Sequence, residues 1–185
     1  MRLFTAVTLG DTVEARAAAR MQHLRVLAPR ARWVKVEGLH LTLVFLGDVD
    51  GARLPAIQEA LTPVGTRHAP FALSVEGGGA FGDPEHPRVL WADVRGATDA
   101  LKALQADTAR VLQPLGFEPE HREYTAHLTL ARAREPRGDP ALRSCVQALS
   151  QTTLGEARVE RLILFESKGG HYLPRWEVPL SREPG

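Results

Sequence analysis

Cysteine occurs once in the 185 residues, at Cys145. A lone thiol forms no internal disulfide and supplies no multi-thiolate metal site. Lysine is scarce too: Lys35, Lys102 and Lys168 are the only ones, and the rest of the 23 basic residues are arginine. The planar arginine fork suits phosphate, although a compositional bias accounts for most of these positions. No apolar run approaches the roughly 20 residues that a spanning helix needs. The first residues lack the apolar stretch and small-residue cleavage site of a signal peptide. Neither charge sign dominates, since the net charge is +1, so bulk electrostatics demand no nucleic-acid partner. A chain that is 44% hydrophobic and 24% charged, with Gly 16 and Pro 13, is not collagen-like, low-complexity or disordered. These features point to a cytoplasmic protein with no membrane partner, built as one domain or as two small lobes sharing a core.

What is present is an order of elements that repeats. Apolar and alternating patterns predict strands over 2–9, 40–46, 71–75, 89–94, 127–131, 158–165 and 171–178. Helical spacing predicts a helix from Asp11-Thr12 to Pro29, one from Leu54 stopped by Pro63 and Gly65, one from Thr98, and one opened by Asp139-Pro140. Gly77 to Pro87 reads as a loop, with Gly77–Gly79 a flexible link between lobes. The tetrapeptide HLTL begins at 40 and again at 127, an offset of 87, and the strands starting at 2 and 89 share that offset. An identical tetrapeptide at the offset of the surrounding elements marks an internal duplication. The expected fold is α+β and bilobal: residues 1–185 form a single bilobal domain with approximate repeats 1–76 and 88–166 and a final strand over 171–178. Two antiparallel sheets flanked by helices enclose a central cleft.

On a strand, residues i and i+2 share a face. His40 and Thr42 therefore point one way and Leu41 and Leu43 the other; His127, Thr129, Leu128 and Leu130 repeat the arrangement. If the lobes are related by a two-fold, the polar faces oppose each other across the cleft. Imidazole titrates near neutrality, so one neutral and one protonated ring make a general base and a general acid. In-line displacement at phosphorus needs a proton taken from the nucleophile and another given to the leaving oxygen. Two opposed histidines meet that need without metal, while Thr42 and Thr129 donate to phosphoryl oxygens. Zinc held by the two histidines is the competing reading, but catalytic zinc usually has three protein ligands, and no carboxylate stands near either motif in a ligand pattern.

The segments VEGLHLTLVFLGDV (36–49), REYTAHLTLAR (122–132) and LILFESK (162–168) resemble the bacterial and archaeal RNA 2′,3′-cyclic phosphodiesterases, also called 2′-5′ RNA ligases, of the two-histidine (2H) phosphoesterase superfamily. The resemblance covers nearly the whole chain. It implies cofactor-free, metal-independent opening of a terminal RNA 2′,3′-cyclic phosphate, tRNA-derived ends included, to a 2′-phosphate by a monomer. It implies His40 as proton donor to the leaving 3′ oxygen, His127 as the acceptor that activates water, and Thr42 and Thr129 as holders of phosphate oxygens. Spacing alone leaves the two histidine roles interchangeable, because the motifs are identical. The alternatives are 2′-5′ ligation, the same chemistry with a ribose 5′-hydroxyl replacing water, and an RNA-end-binding module without turnover. Ala126 stands where the family often has proline, and the stretch after Lys168 is shorter than the family's usual glycine-rich hairpin.

Arg132 is a further candidate for the phosphate, although strict alternation from His127 puts it on the face away from the cleft. Arg30, Arg32, Trp33 and Lys35 form a basic stretch that could hold single-stranded RNA or be a loop whose tryptophan packs on the core. Alternation with Leu43 places Phe45 in the core, and packing is the simpler role for Tyr124. Cys145 lies on an apolar helix stripe. His23, His68, His86, His121 and His171 lack the repeat context and read as surface or loop residues.

Overall fold

The computed structural model describes residues 1–37 and 39–183. The fold is α+β. One sheet (sheet A) contains β1 (Arg2–Thr8), β3 (His40–Asp48), β8 (Arg161–Lys168) and β9 (His171–Pro179), in the order β3-β1-β8-β9. The other (sheet B) contains β2 (Arg32–Trp33), β4 (Phe71–Asp83), β5 (His86–Gly96), β6 (His127–Arg132) and β7 (Thr153–Val159), in the order β2-β6-β5-β4-β7. All neighbouring strands are antiparallel.

Among the described residues, four α-helices back the sheets: α1 (Gly10–Leu27), α2 (Leu54–Arg67), α3 (Thr98–Leu112) and α4 (Ala141–Leu149). Their apolar stripes are buried: Val13, Ala17, Met21 and Leu24 on α1, and Leu101, Leu104 and Leu112 on α3. α2 and α3 pack on sheet A, and α1 and α4 on sheet B. The leucines of both HLTL segments, Leu41, Leu43, Leu128 and Leu130, are buried in the same apolar cluster as these stripes. That burial turns the intervening histidines and threonines to the opposite faces.

Three expectations are corrected. Gly77 to Pro87 is not a loop: β4 runs through the glycines and joins β5 across a tight turn at Pro84-Glu85. Glycine is required there because β5 comes too close for a side chain. A Cβ on Gly78 would lie 2.5 Å from the Trp91 carbonyl oxygen, and one on Gly79 would lie 2.7 Å from the Trp91 ring. The apolar run 158–165 is not one strand but the end of β7 and the start of β8, separated at Glu160, where the chain leaves one sheet for the other. Pro63 does not stop α2, which continues to Arg67 with the proline inside it. Neither sheet is drawn from one half of the chain: β8 and β9 complete the sheet of β1 and β3, while β4 joins that of β5 and β6.

Candidate active site

His40 and Thr42 on β3, and His127 and Thr129 on β6, line one cleft of about 500 Å³ between the sheets. The sequence-expected pair of motifs is thus brought to a common cavity from opposite sheets. Its charged lining is of one sign: Arg2, Lys35 and Arg132 line it, and among the described residues no Asp or Glu does. Nor does any of those three cations pair with a carboxylate among the described residues. In a chain of net charge +1, this concentrates positive potential where an anion can enter. No group of three or more His, Cys, Asp or Glu side chains placed to hold a metal occurs among the described residues.

The two imidazoles have different surroundings. The His40 ring lies against Phe4 at 4.9 Å, Phe165 at 5.9 Å and the edge of Tyr172 at 4.8 Å, all on sheet A. The His127 ring lies against Trp91 at 4.2 Å and the edge of Phe81 at 5.0 Å, both on sheet B. Its Nδ1 is buried with no hydrogen-bond partner among the described residues. Burial lowers the His127 pKa from the ordinary 6.5, and the carboxylate of Asp93, its cross-strand neighbour on β5, partly offsets this. The result favours a neutral ring at pH 7.

A β-bulge in each motif strand decides what else reaches the cleft. On β6 the pairing with β5 skips Leu130, so Trp91 faces Thr129 and Val89 faces Arg132. Leu130 and Ala131 are both buried. A bulge inverts the alternation beyond it, and Arg132 lines the cleft beside His127 and Thr129. The face expected from strict alternation is therefore corrected, and the proposed phosphate contact becomes reachable. On β3 the pairing with β1 skips Leu43, so Ala6 faces Thr42 and Phe4 faces Phe45. Phe45 is not a core residue: it is 66% exposed and lines the same cleft. Thr5, fully buried, holds this bulge through its hydroxyl, which accepts from Val44 N–H at 3.1 Å and donates to the Val44 carbonyl at 3.4 Å. The signal in the sequence was the doubled apolar pair after each motif, Leu43-Val44 and Leu130-Ala131.

Tyr124 both packs and reaches the cleft. Its hydroxyl donates to the Thr42 carbonyl at 2.9 Å, and burial pushes its pKa up. The bond ties the segment before β6 to β3, across the two sheets. Trp33 has the structural role: its indole N–H donates to the Ala28 carbonyl at 3.0 Å and its ring packs on the core. Of the basic stretch around it, Lys35 lines the cleft. Tyr172, just past the Gly169-Gly170 turn, lines it too, although the hairpin is short. Among the other histidines, His68 is not a free surface residue: it lies 2.9 Å from Asp107. Cys145 is buried on α4 as expected.

The family model of the 2′-5′ RNA ligase superfamily matches residues 13–171. The chain belongs to this superfamily. Within it, the chain is 34% identical over 167 residues to the RNA 2′,3′-cyclic phosphodiesterase of Archaeoglobus fulgidus, covering 90% of this chain and 91% of that one. It is 34% identical over 149 residues to the protein of the same name from Aeropyrum pernix, covering 78% and 84%. A crystal structure of TT0787 from Thermus thermophilus covers all of both chains with a TM-score of 0.77 and 26% identity. That of E. coli LigT complexed with 3′-AMP covers 98% of both, with a TM-score of 0.71 and 23% identity, a likeness of fold. No helix among the described residues is long and apolar enough to cross a membrane.

Proposed function

We propose that this superfamily member opens terminal 2′,3′-cyclic phosphates on RNA to 2′-phosphates, with His127 as general base, His40 as general acid, and Thr42, Thr129 and Arg132 holding the phosphoryl oxygens. The observation that carries the reading is the meeting of two His-x-Thr strand faces in a cleft whose charged lining is wholly basic. A neutral His127 takes a proton from water as the water oxygen attacks phosphorus. The bond from phosphorus to the 3′ oxygen breaks, and that oxygen takes the proton carried by His40. The products are a 2′-phosphate and a free 3′-hydroxyl. The lowered pKa of His127 supports assigning the base to it. The two rings move both protons and the cationic cleft balances the charge on the phosphoryl oxygens, so the reaction calls for no metal. With a ribose 5′-hydroxyl in place of water as the attacking group, the same opening of the cyclic phosphate would join RNA through a 2′-5′ bond, in keeping with the description of the superfamily.

The test is turnover of an RNA ending in a 2′,3′-cyclic phosphate. His40→Ala and His127→Ala are each expected to lower kcat by about 100- to 10,000-fold, the range for a lost acid or base, while circular dichroism stays unchanged. A chelator is expected to leave the rate of the unaltered enzyme intact. Full activity in either variant contradicts the assignment, and tight RNA binding without product in the unaltered protein would make it an end-binding module.

A further inference from the structure

We infer that Arg67, Arg110 and Arg182, gathered around Asp107 where α2 and α3 end, form a second anion site that holds the phosphodiester backbone of the RNA whose end lies in the cleft. The inference rests on the function proposed above. With Thr66, His68 and Asp107 these arginines line a cavity of about 520 Å³ that shares no residue with the cleft of His40 and His127. Asp107 draws the cluster together. Its Oδ1 accepts from Arg67 at 3.0 Å and from Arg110 at 2.6 Å, and its Oδ2 accepts from Arg67 and from His68, each at 2.9 Å. Four bonds fill the lone pairs of a carboxylate, and this one is only 12% exposed. Burial works to raise its pKa, but the bonds from Arg67, His68 and Arg110 hold it well below the usual carboxylate range. An entering anion therefore meets three guanidinium groups and one carboxylate that is already satisfied. Glu183 lines only the smaller adjoining cavity.

Arg182 is the member that local stability leaves unexplained. Helix C-termini favour cations, which accounts for Arg67 and Arg110 in the last turns of α2 and α3. Arg182 comes instead from the segment after β9. Backbone bonds lay that segment against α2, from Ser181 to the Gly65 carbonyl at 2.8 Å and from Arg182 to the His68 carbonyl at 3.1 Å. Gly65 admits it, since a Cβ there would lie 2.5 Å from the Pro179 carbonyl oxygen. The Arg182 guanidinium reaches the Arg67 carbonyl at 3.5 Å, too long for a strong cap, and it pairs with no carboxylate among the described residues. Each guanidinium has five N–H donors, of which Arg67 uses two on Asp107 and Arg110 one. The remaining forks suit phosphate oxygens. The lining holds no aromatic ring except that of His68, which Asp107 holds, and no large apolar side chain. It therefore suits phosphates rather than bases, and it lacks the apolar anchor that a protein partner needs. The span to the cleft is within reach of a strand. Thr42, Ala6, Ile163 and Glu177 stand in one row across sheet A, about 14 Å at the spacing of adjacent strands. Arg182 follows Glu177 by five residues, at most about 18 Å more.

The experiment measures binding by the full-length protein and by the double variant Arg110→Gln, Arg182→Gln, both positions being exposed. The ligands are adenosine 2′-phosphate and a single-stranded RNA of about 20 nucleotides ending in a 2′-phosphate, longer than the roughly 4–16 that one binding fold covers. Each phosphate contact on a single strand adds about 0.7 to the slope of log Kd against log salt, which is about fivefold in affinity at 0.1 M salt. For the RNA, the double variant is expected to lose about 25-fold in Kd at that salt and about 1.4 in slope. Arg110→Lys, Arg182→Lys is expected to restore the slope, because the charge returns. Adenosine 2′-phosphate, too short to reach the cluster from the cleft, is expected to bind both proteins alike. An equal loss on both ligands, or an unaltered RNA affinity and slope, overturns the inference. In the latter case, arginine-dependent binding of polyglutamate would make the partner an acidic protein, and that of inorganic tripolyphosphate would make the ligand a free polyphosphate. Binding needs no turnover. If the unaltered protein opens no cyclic phosphate, the proposed activity fails, while the comparison of the two ligands still decides for or against the second site.

Discussion

The environment of His127 is made of rings, with one carboxylate set against them. Trp91 and Phe81 pack on the imidazole, Nδ1 has no partner among the described residues, and burial lowers the pKa while Asp93 raises it. The consequence for pH follows from the sign of each effect. A general base acts only when neutral, so the acid limb of kcat/KM tracks its pKa. Burial moves that limb below the ordinary 6.5, and Asp93 moves it back up. Replacing Asp93 by Asn removes the upward pull, so the acid limb is expected to shift to lower pH while the alkaline limb, set by the acid, stays in place. A pH profile of kcat/KM for the two proteins checks this, and a shift to higher pH would contradict the role given to His127. At this scale the sequence was most legible in the paired motifs, because a two-residue period and two copies sufficed to align two imidazoles and two hydroxyls. It could not distinguish the two histidines. The difference comes from Trp91, Phe81 and Asp93, which reach His127 through sheet pairing and leave no pattern around residue 127 itself.

At the scale of elements, the bulges determine the composition of the cleft. Alternation read along β3 and β6 is correct up to the second leucine of each motif, where the register shifts, so that local alternation puts Phe45 and Arg132 on the wrong faces. The glycines of β4 misled in a similar way. Read locally, three in a row signal a loop, whereas here Gly78 and Gly79 make room for Trp91 on the adjacent strand. In both places a neighbouring strand outweighs the local pattern, and no single-segment rule contains that neighbour. The β3 bulge also yields a prediction. In Thr5→Val the shape is kept but the hydroxyl that serves both Val44 backbone groups is lost. Leaving such groups unsatisfied costs about 1–3 kcal/mol, which in a chain of this size lowers Tm by roughly 2–4 °C per kcal/mol. Thermal unfolding measures this loss. An unchanged Tm would show that the bulge holds without the hydroxyl.

At the scale of the molecule, the interleaving of strands ties the two walls of the cleft together. Each sheet is completed from the other half of the chain, and the Tyr124 hydroxyl bonds across to the Thr42 carbonyl. The α+β class, the two antiparallel sheets and the cleft were legible from the order of elements. The exchange of strands was not, because the chain passes from sheet B to sheet A at Glu160 within a run that reads as one strand. The proposed division of acid and base between two imidazoles that line one cleft has a direct test in the leaving group. A 3′-sulfur in the cyclic phosphate needs no proton to depart, so it removes the need for an acid but not for a base. In single-turnover reactions, His40→Ala is expected to be nearly inactive on the natural 3′-oxygen substrate and restored on the 3′-sulfur one, while His127→Ala stays inactive on both. Equal behaviour of the two variants on the 3′-sulfur substrate would contradict the division of acid and base between the sheets.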